Sequence, residues 1–186
     1  PCGKGKWQDQ HNAWLSYGAV SARALKAQVH LSSVSGIGLM HSCCNLGIIM
    51  PGVYDKVSMR NDTIPWDFKK YQPDIVTICL GQNDGVQDSA AFCTNYLRFI
   101  HTVRSYYPRT KILLLSSPMA DARLREFLRT SLKSVLQTMQ DKGDKRIRMH
   151  VFERSYTGGC DYHPSTDEHA LIAAELTGVI RQWTKW

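Results

Sequence analysis

Apolar residues fall into two kinds of pattern along this chain. Residues 75–80 and 112–115 are almost unbroken apolar runs, the composition of strands covered on both faces. With 29–35, 147–152 and a polar flank on the second run (111–116), they make four predicted strands. Elsewhere apolar positions return every three or four residues. Ala13, Tyr17, Val20 and Ala24 form one such stripe; Phe92, Tyr96, Phe99 and Val103 form the next. Leu124, Leu128, Leu132, Val135 and Met139 make a third, and Ile172, Leu176, Val179 and Trp183 a fourth. Stripes of this period are the buried faces of helices. Ser165 and Glu168 have the spacing of a capping box that opens the last helix.

Strands alternating with helices predict an α/β fold: a parallel sheet with helices on both sides, three layers deep. The order begins with a helix, so a leading strand and its turn are expected upstream of Pro1. The abrupt start, Pro1-Cys2-Gly3 with no initiator Met, reads as a cut end. In such sheets the working loops lie at the carboxyl ends of the strands. Gly36, Gly81 and Asn83 fall there. Residues 40–67 carry little regular pattern and read as a long surface loop beside them.

Composition narrows the function classes. A chain of 186 residues fits one domain, and 43% hydrophobic with 21% charged residues is ordinary for a globular protein. No stretch approaches the roughly 20 apolar residues that span a bilayer. Lys and Arg number 23 against 16 acids, a formal charge of +7. The excess sits in 123–148 without interleaved aromatics, which reads as a solvated helix face and not as a nucleic-acid site. The six cysteines show no CxxC pair or zinc spacing. Cys79 reads as a small core residue, while Cys2, Cys43, Cys44, Cys93 and Cys160 occupy positions where disulfides can form, which favours secretion.

Two short motifs carry chemistry. In Gly81-Gln82-Asn83-Asp84, glycine permits a tight turn and bares a backbone N–H, and Asn offers an amide donor, as an oxyanion hole requires. The same residues are also plain turn chemistry. Gly36, after the predicted strand 29–35, presents a second candidate N–H. In Gly159-Cys160-Asp161-Tyr162-His163-Pro164, His163 combines a loop position, a following proline and a nearby acid. Asp161 can orient the imidazole or cap the turn. No nucleophile accompanies them. There is no Gly-x-Ser-x-Gly elbow; Ser35, Ser42 and Ser117 lack a supporting motif; Cys43-Cys44 suits a disulfide or packing.

These motifs, in this order, resemble the SGNH (GDSL-like) hydrolases, a flavodoxin-like superfamily of serine esterases. Gly36 matches their second block, Gly81-Gln82-Asn83-Asp84 the third and His163 the fourth. Trp66-Asp67-Phe68, Gln72-Pro73-Asp74-Ile75-Val76 and Gly159-Cys160-Asp161-Tyr162-His163-Pro164 are most similar to carbohydrate esterase family two, acetyl esterases of plant polysaccharides. The likeness covers residues 10–184. Two departures stand out: the Gly-Asp-Ser block is absent and belongs just before Pro1, and Cys160 stands where the usual Asp-x-x-His pattern has its acid. In some members of this esterase family backbone carbonyls help to orient the histidine.

The resemblance implies that residues 1–186 are the C-terminal portion of an esterase catalytic domain, with an N-terminal β-sandwich and the first strand upstream. An upstream serine would attack the acetyl carbonyl, and His163, with Asp161 beside it, would carry the proton. Gly36 and Asn83 would hold the oxyanion, and Tyr162 and Trp66 would line the sugar cleft. No metal or organic cofactor is implied, and no membrane or nucleic-acid partner. The expected partners are an acetylated carbohydrate and an N-terminal segment or companion chain that completes the fold. The alternative is a non-catalytic carbohydrate-binding or interaction module on the same fold.

Overall fold

The apolar runs that read as covered strands lie side by side in one parallel sheet. A computed structural model describes residues 3, 6, 11–60 and 63–186 of the chain. Its strands are β1 (Ile75–Ile78), β2 (Lys111–Leu115) and β3 (Ile147–His150), in the order β1-β2-β3. Ile75 pairs with Lys111 and Ile112 with Ile147, all in parallel register. The α-helices are α1 (Tyr17–Ala24), α2 (Met50–Val53), α3 (Ser89–Tyr106), α4 (Ala122–Asp141) and α5 (Thr166–Thr184).

The chain divides into two compact units, Ser32–Glu153 and the pair of segments Pro1–Leu31 with Arg154–Trp186. The first of these holds the sheet. Parallel strands need crossovers, and α3 and α4 supply them, each capped by an aspartate that accepts from a first-turn amide. Asp88 takes the Ala91 N–H and Asp121 the Leu124 N–H, both at 2.8 Å. Central β2 explains its continuous apolar run: Ile112, Leu113, Leu114 and Leu115 have no exposed surface. Phe92, Tyr96, Phe99 and Val103 of α3 and Leu124, Leu128, Leu132, Val135 and Met139 of α4 are buried as their stripes predict. Truncating one such leucine to alanine costs about 2–5 kcal/mol. Arg104 and Asp144, both mostly covered, join α3 to the loop before β3 at 2.8 Å.

Two expectations fail, at residues 29–35 and 40–67. Residues 29–35 are not a strand, because strand structure needs a hydrogen-bonded neighbouring strand and no strand among the described residues pairs with this segment. Val29 and Leu31 accordingly stay exposed. Residues 40–67 are not a bare surface loop. They contain α2 and a bridge between Lys56 and Pro65, and they send Met50, Val53 and part of Tyr54 into the core.

The second unit pairs α1 with α5. Ser21 Oγ donates to Ala173 O at 3.3 Å and Arg181 to Ala24 O at 2.9 Å. On α1 the covered residues are Ala19, Ser21 and Ala22, with Leu25 just after it, not the predicted stripe. Val20 and Ala24 instead line a groove of about 370 Å³ together with Ala173, Thr177 and Arg181 of α5. On α5, Ile172 and Leu176 are buried as expected, and the capping box between Ser165 and Glu168 is present.

Candidate active site

Two loops of the sheet-bearing unit meet at the motifs singled out above. After residue 34 the backbone turns at Gly36, whose φ of +83° is the left-handed region open to glycine. A side chain there would also press on Cys43 Sγ at 2.8 Å. The loop then folds on itself: Cys43 N–H donates to Gly36 O at 2.9 Å, Gly38 N–H to Ser42 Oγ at 3.0 Å, and Ser42 Oγ to Ile48 O at 2.6 Å. Cys43 and Cys44 are joined in a disulfide between adjacent residues. Gly81, with φ +115°, begins the second loop, where a Cβ would lie 2.6 Å from Leu128 Cδ2.

Asn83 and Asp84 fasten the second loop to the first. Asn83 Nδ2 donates to Ile37 O at 2.9 Å. The Asp84 carboxylate accepts from three successive amides: Leu39 at 2.9 Å on one oxygen, Met40 at 2.6 Å and His41 at 3.0 Å on the other. Thus Gly36 and Asn83 stand on two loops tied to each other. Trp66 belongs to the same unit, where it is partly buried against the core and its indole shares a hydrogen bond with Tyr107.

His163 stands on the other unit, in a loop held at both ends. Gly159 N–H donates to His163 O at 2.7 Å and His163 N–H to Cys160 O at 3.0 Å. Glu168 Oε2 accepts from Gly158 and Ser165, each at 2.8 Å, and the Ser165 amide in particular pulls its carboxyl below the ordinary value. Asp161 and Tyr162 are both left-handed, with φ of 52° and 58°, an uncommon state for residues with a Cβ. That backbone turns two carbonyls onto the imidazole: Nδ1 of His163 lies 3.0 Å from Asp161 O and 3.3 Å from Cys160 O. Carbonyl oxygen only accepts, so these contacts put a hydrogen on Nδ1 and leave the Nε2 lone pair available in the neutral ring. Tyr162, 81% exposed, stands beside it. Cys160 is disulfide-bonded.

Sequence reasoning read Glu168 only as the cap of α5 and missed the roles of Gly38 and Asp84 in the first two loops, because Asp84's amide partners lie some forty residues away and Gly38 is confined by backbone and by Asp84 itself. Among the described residues no group of histidine, cysteine and acidic side chains has the arrangement of a metal site, and no helix is long and apolar enough to cross a membrane.

The model of GDSL-like lipases and acylhydrolases matches residues 5–176. The chain belongs to that family. Among GDSL-like relatives, the cellulase/esterase CelE of Acetivibrio thermocellus is 32% identical over 183 residues, which cover 94% of this chain and 22% of that protein. An acetylxylan esterase / glucomannan deacetylase of Cellvibrio japonicus is 30% identical over 181 residues, 94% of this chain and 50% of its own length. The structure of a family two carbohydrate esterase from Clostridium thermocellum in complex with cellohexaose superposes with a TM-score of 0.88 at 31% identity, covering 94% of this chain and 56% of that one. The α/β fold of this GDSL-like chain is therefore that of the SGNH hydrolases. The chain spans about half or less of the length of these relatives.

Proposed function

We propose that the polypeptide containing this chain is a carboxylic ester hydrolase that removes acetyl groups from plant-type polysaccharide or its oligosaccharides. The observation that carries this reading is the His163 ring, whose Nδ1 rests on two backbone carbonyls and whose Nε2 is thereby left as the base. A serine outside residues 1–186 attacks the acetyl carbonyl while His163 Nε2 takes its proton. The tetrahedral oxyanion is held by the Gly36 N–H, the second N–H of the Asn83 amide and the serine's own N–H. Collapse expels the sugar oxygen, which receives the proton from His163, and leaves an acetyl-serine. Water then enters with His163 again as base, releasing acetate and restoring the serine. In this scheme Asp161 serves the histidine through its backbone carbonyl, and Tyr162 and Trp66 line the sugar cleft. The similarity to carbohydrate acetyl esterases supports the substrate class.

The serine comes with a segment or companion chain that also adds a strand beside β1, which has a single neighbour among the described residues. The disulfides at Cys43–Cys44 and at Cys160 suit an oxidising, extracellular compartment. A second reading, a module that binds carbohydrate without cleaving it, draws support from the exposure of Tyr162.

Acetate release from acetylated xylan, and aryl acetate turnover, by the full-length polypeptide decide between them. Hydrolysis that falls to a trace in His163→Ala is the expected result. Binding of xylan with no release of acetate would overturn the esterase reading in favour of the module.

A further inference from the structure

The catalytic scheme leaves one buried carboxylate among the described residues without a task. Asp84, 4% exposed, follows Asn83 directly, and its carboxylate is turned from solvent and pairs with no cation among the described residues. It gathers the N–H groups of Leu39, Met40 and His41, forty-odd residues earlier in the chain. Three successive loop amides aimed at one carboxylate are a shaped receptor, since each would otherwise need its own acceptor. The wrapping is close. At Gly38 an added Cβ would lie 2.8 Å from Asp84 Oδ2 and 1.8 Å from His41 O, so no side chain fits there.

We propose that Asp84 is a positioning residue for the oxyanion site, acting through the loop it holds. An amide NH2 has two hydrogens in one plane, so fixing one direction fixes the other. Asn83 gives one hydrogen to Ile37 O, and Ile37 lies between Gly36 and the three amides that Asp84 binds. The carboxylate therefore sets Ile37 O, Ile37 O sets the Asn83 plane, and the same loop sets the Gly36 N–H. Adjacent side chains of one turn grip one loop at two points, and both oxyanion donors inherit their aim from that grip. The inference rests on the esterase reading above and adds to it a residue that touches no substrate.

The test is a double-mutant cycle in the full-length polypeptide, read as kcat and KM on an aryl acetate. Asp84→Asn is expected to lower kcat about ten- to a hundredfold, approaching the loss of one oxyanion donor, with KM within about threefold. Asp84→Glu, which keeps the anion, recovers part of that loss. In an Asn83→Ala background the Asp84→Asn change should cost several-fold less than it does alone, because the share of its effect that runs through the Asn83 amide is already lost and only the share through the Gly36 N–H remains. Full additivity, or wild-type kcat in Asp84→Asn, overturns the proposal. Should Asp84→Asn not fold, amide exchange in the unmodified protein decides: slow exchange at Leu39, Met40 and His41 supports it, and fast exchange at all three refutes it. An unmodified protein without acetyl esterase activity would sink the esterase reading instead, a result separable from additivity in an active enzyme.

Discussion

Replacing Asp161 by Asn tests how His163 is oriented more sharply than removing the histidine itself. In a conventional triad the carboxylate side chain holds Nδ1–H, and the isosteric amide costs about ten-thousandfold by favouring the wrong tautomer. Here the acceptors are the main-chain oxygens of Asp161, at 3.0 Å, and Cys160, at 3.3 Å. Asn keeps that carbonyl and tolerates the left-handed φ of 52° better than most residues. What the change removes is one exposed negative charge near an imidazolium. In water such a charge at about 4 Å is worth no more than about fivefold in rate. The expected kcat of Asp161→Asn is therefore within about tenfold of the unmodified full-length protein, while His163→Ala falls to a trace. Steady-state rates on an aryl acetate across pH 6–9 separate the cases. A collapse of Asp161→Asn to the level of His163→Ala would refute carbonyl orientation and make the side chain a third catalytic member.

Three further outcomes follow from named contacts. Asn83→Ala should lower kcat by about a hundredfold or more with little change in KM, because an oxyanion donor acts in the transition state; steady-state kinetics check it. Gly38→Ala drives a Cβ to within 1.8 Å of His41 O and 2.8 Å of Asp84 Oδ2, so it should destabilise the fold by at least about 2 kcal/mol, read from urea midpoints. The Glu168 carboxyl titrates below its ordinary value of 4.5, chiefly because Ser165 N–H donates to it. Its stabilisation is then complete above about that value and is lost as pH falls through the lowered one. Melting between pH 6 and 3 should lose less in Glu168→Gln than in the unmodified protein; an identical acid slope would count against this.

What the sequence revealed was local, and what it concealed was long-range. The stripes of α3 and α4 and the Ser165–Glu168 capping box follow from residues three and four apart, and the structure reproduces them. Residues 29–35 alternate like a strand, but strand structure belongs to a pair, and no strand among the described residues pairs with them. In α1 three alanines and a glycine within eight residues give too little contrast to mark a face, and the covered side proved to be Ala19 and Ala22 instead of Val20 and Ala24. At the candidate site, Gly36 and Gly81 were legible as turn formers, because their left-handed backbone calls for glycine. Asp84 looked like a turn former, since its amide partners lie 43 to 45 positions away. The carbonyls behind His163 were equally hidden, because they depend on two successive left-handed residues with full side chains, which local preference disfavours.

The bond between Cys43 and Cys44 also behaves unlike an ordinary cross-link. A disulfide stabilises in large part by removing loop-closure entropy from the unfolded chain, about 3 kcal/mol for a 15-residue loop. Here the separation is one residue, so the unfolded ensemble loses almost nothing when the bond forms. Its effect is confined to the shape of a few atoms, where Cys44 and Asn45 are both left-handed and Cys43 backs onto Gly36. Loss of this one bond should consequently leave the global unfolding transition where it was and act on the loop that bears Gly36, a bond that staples a contour and not a fold.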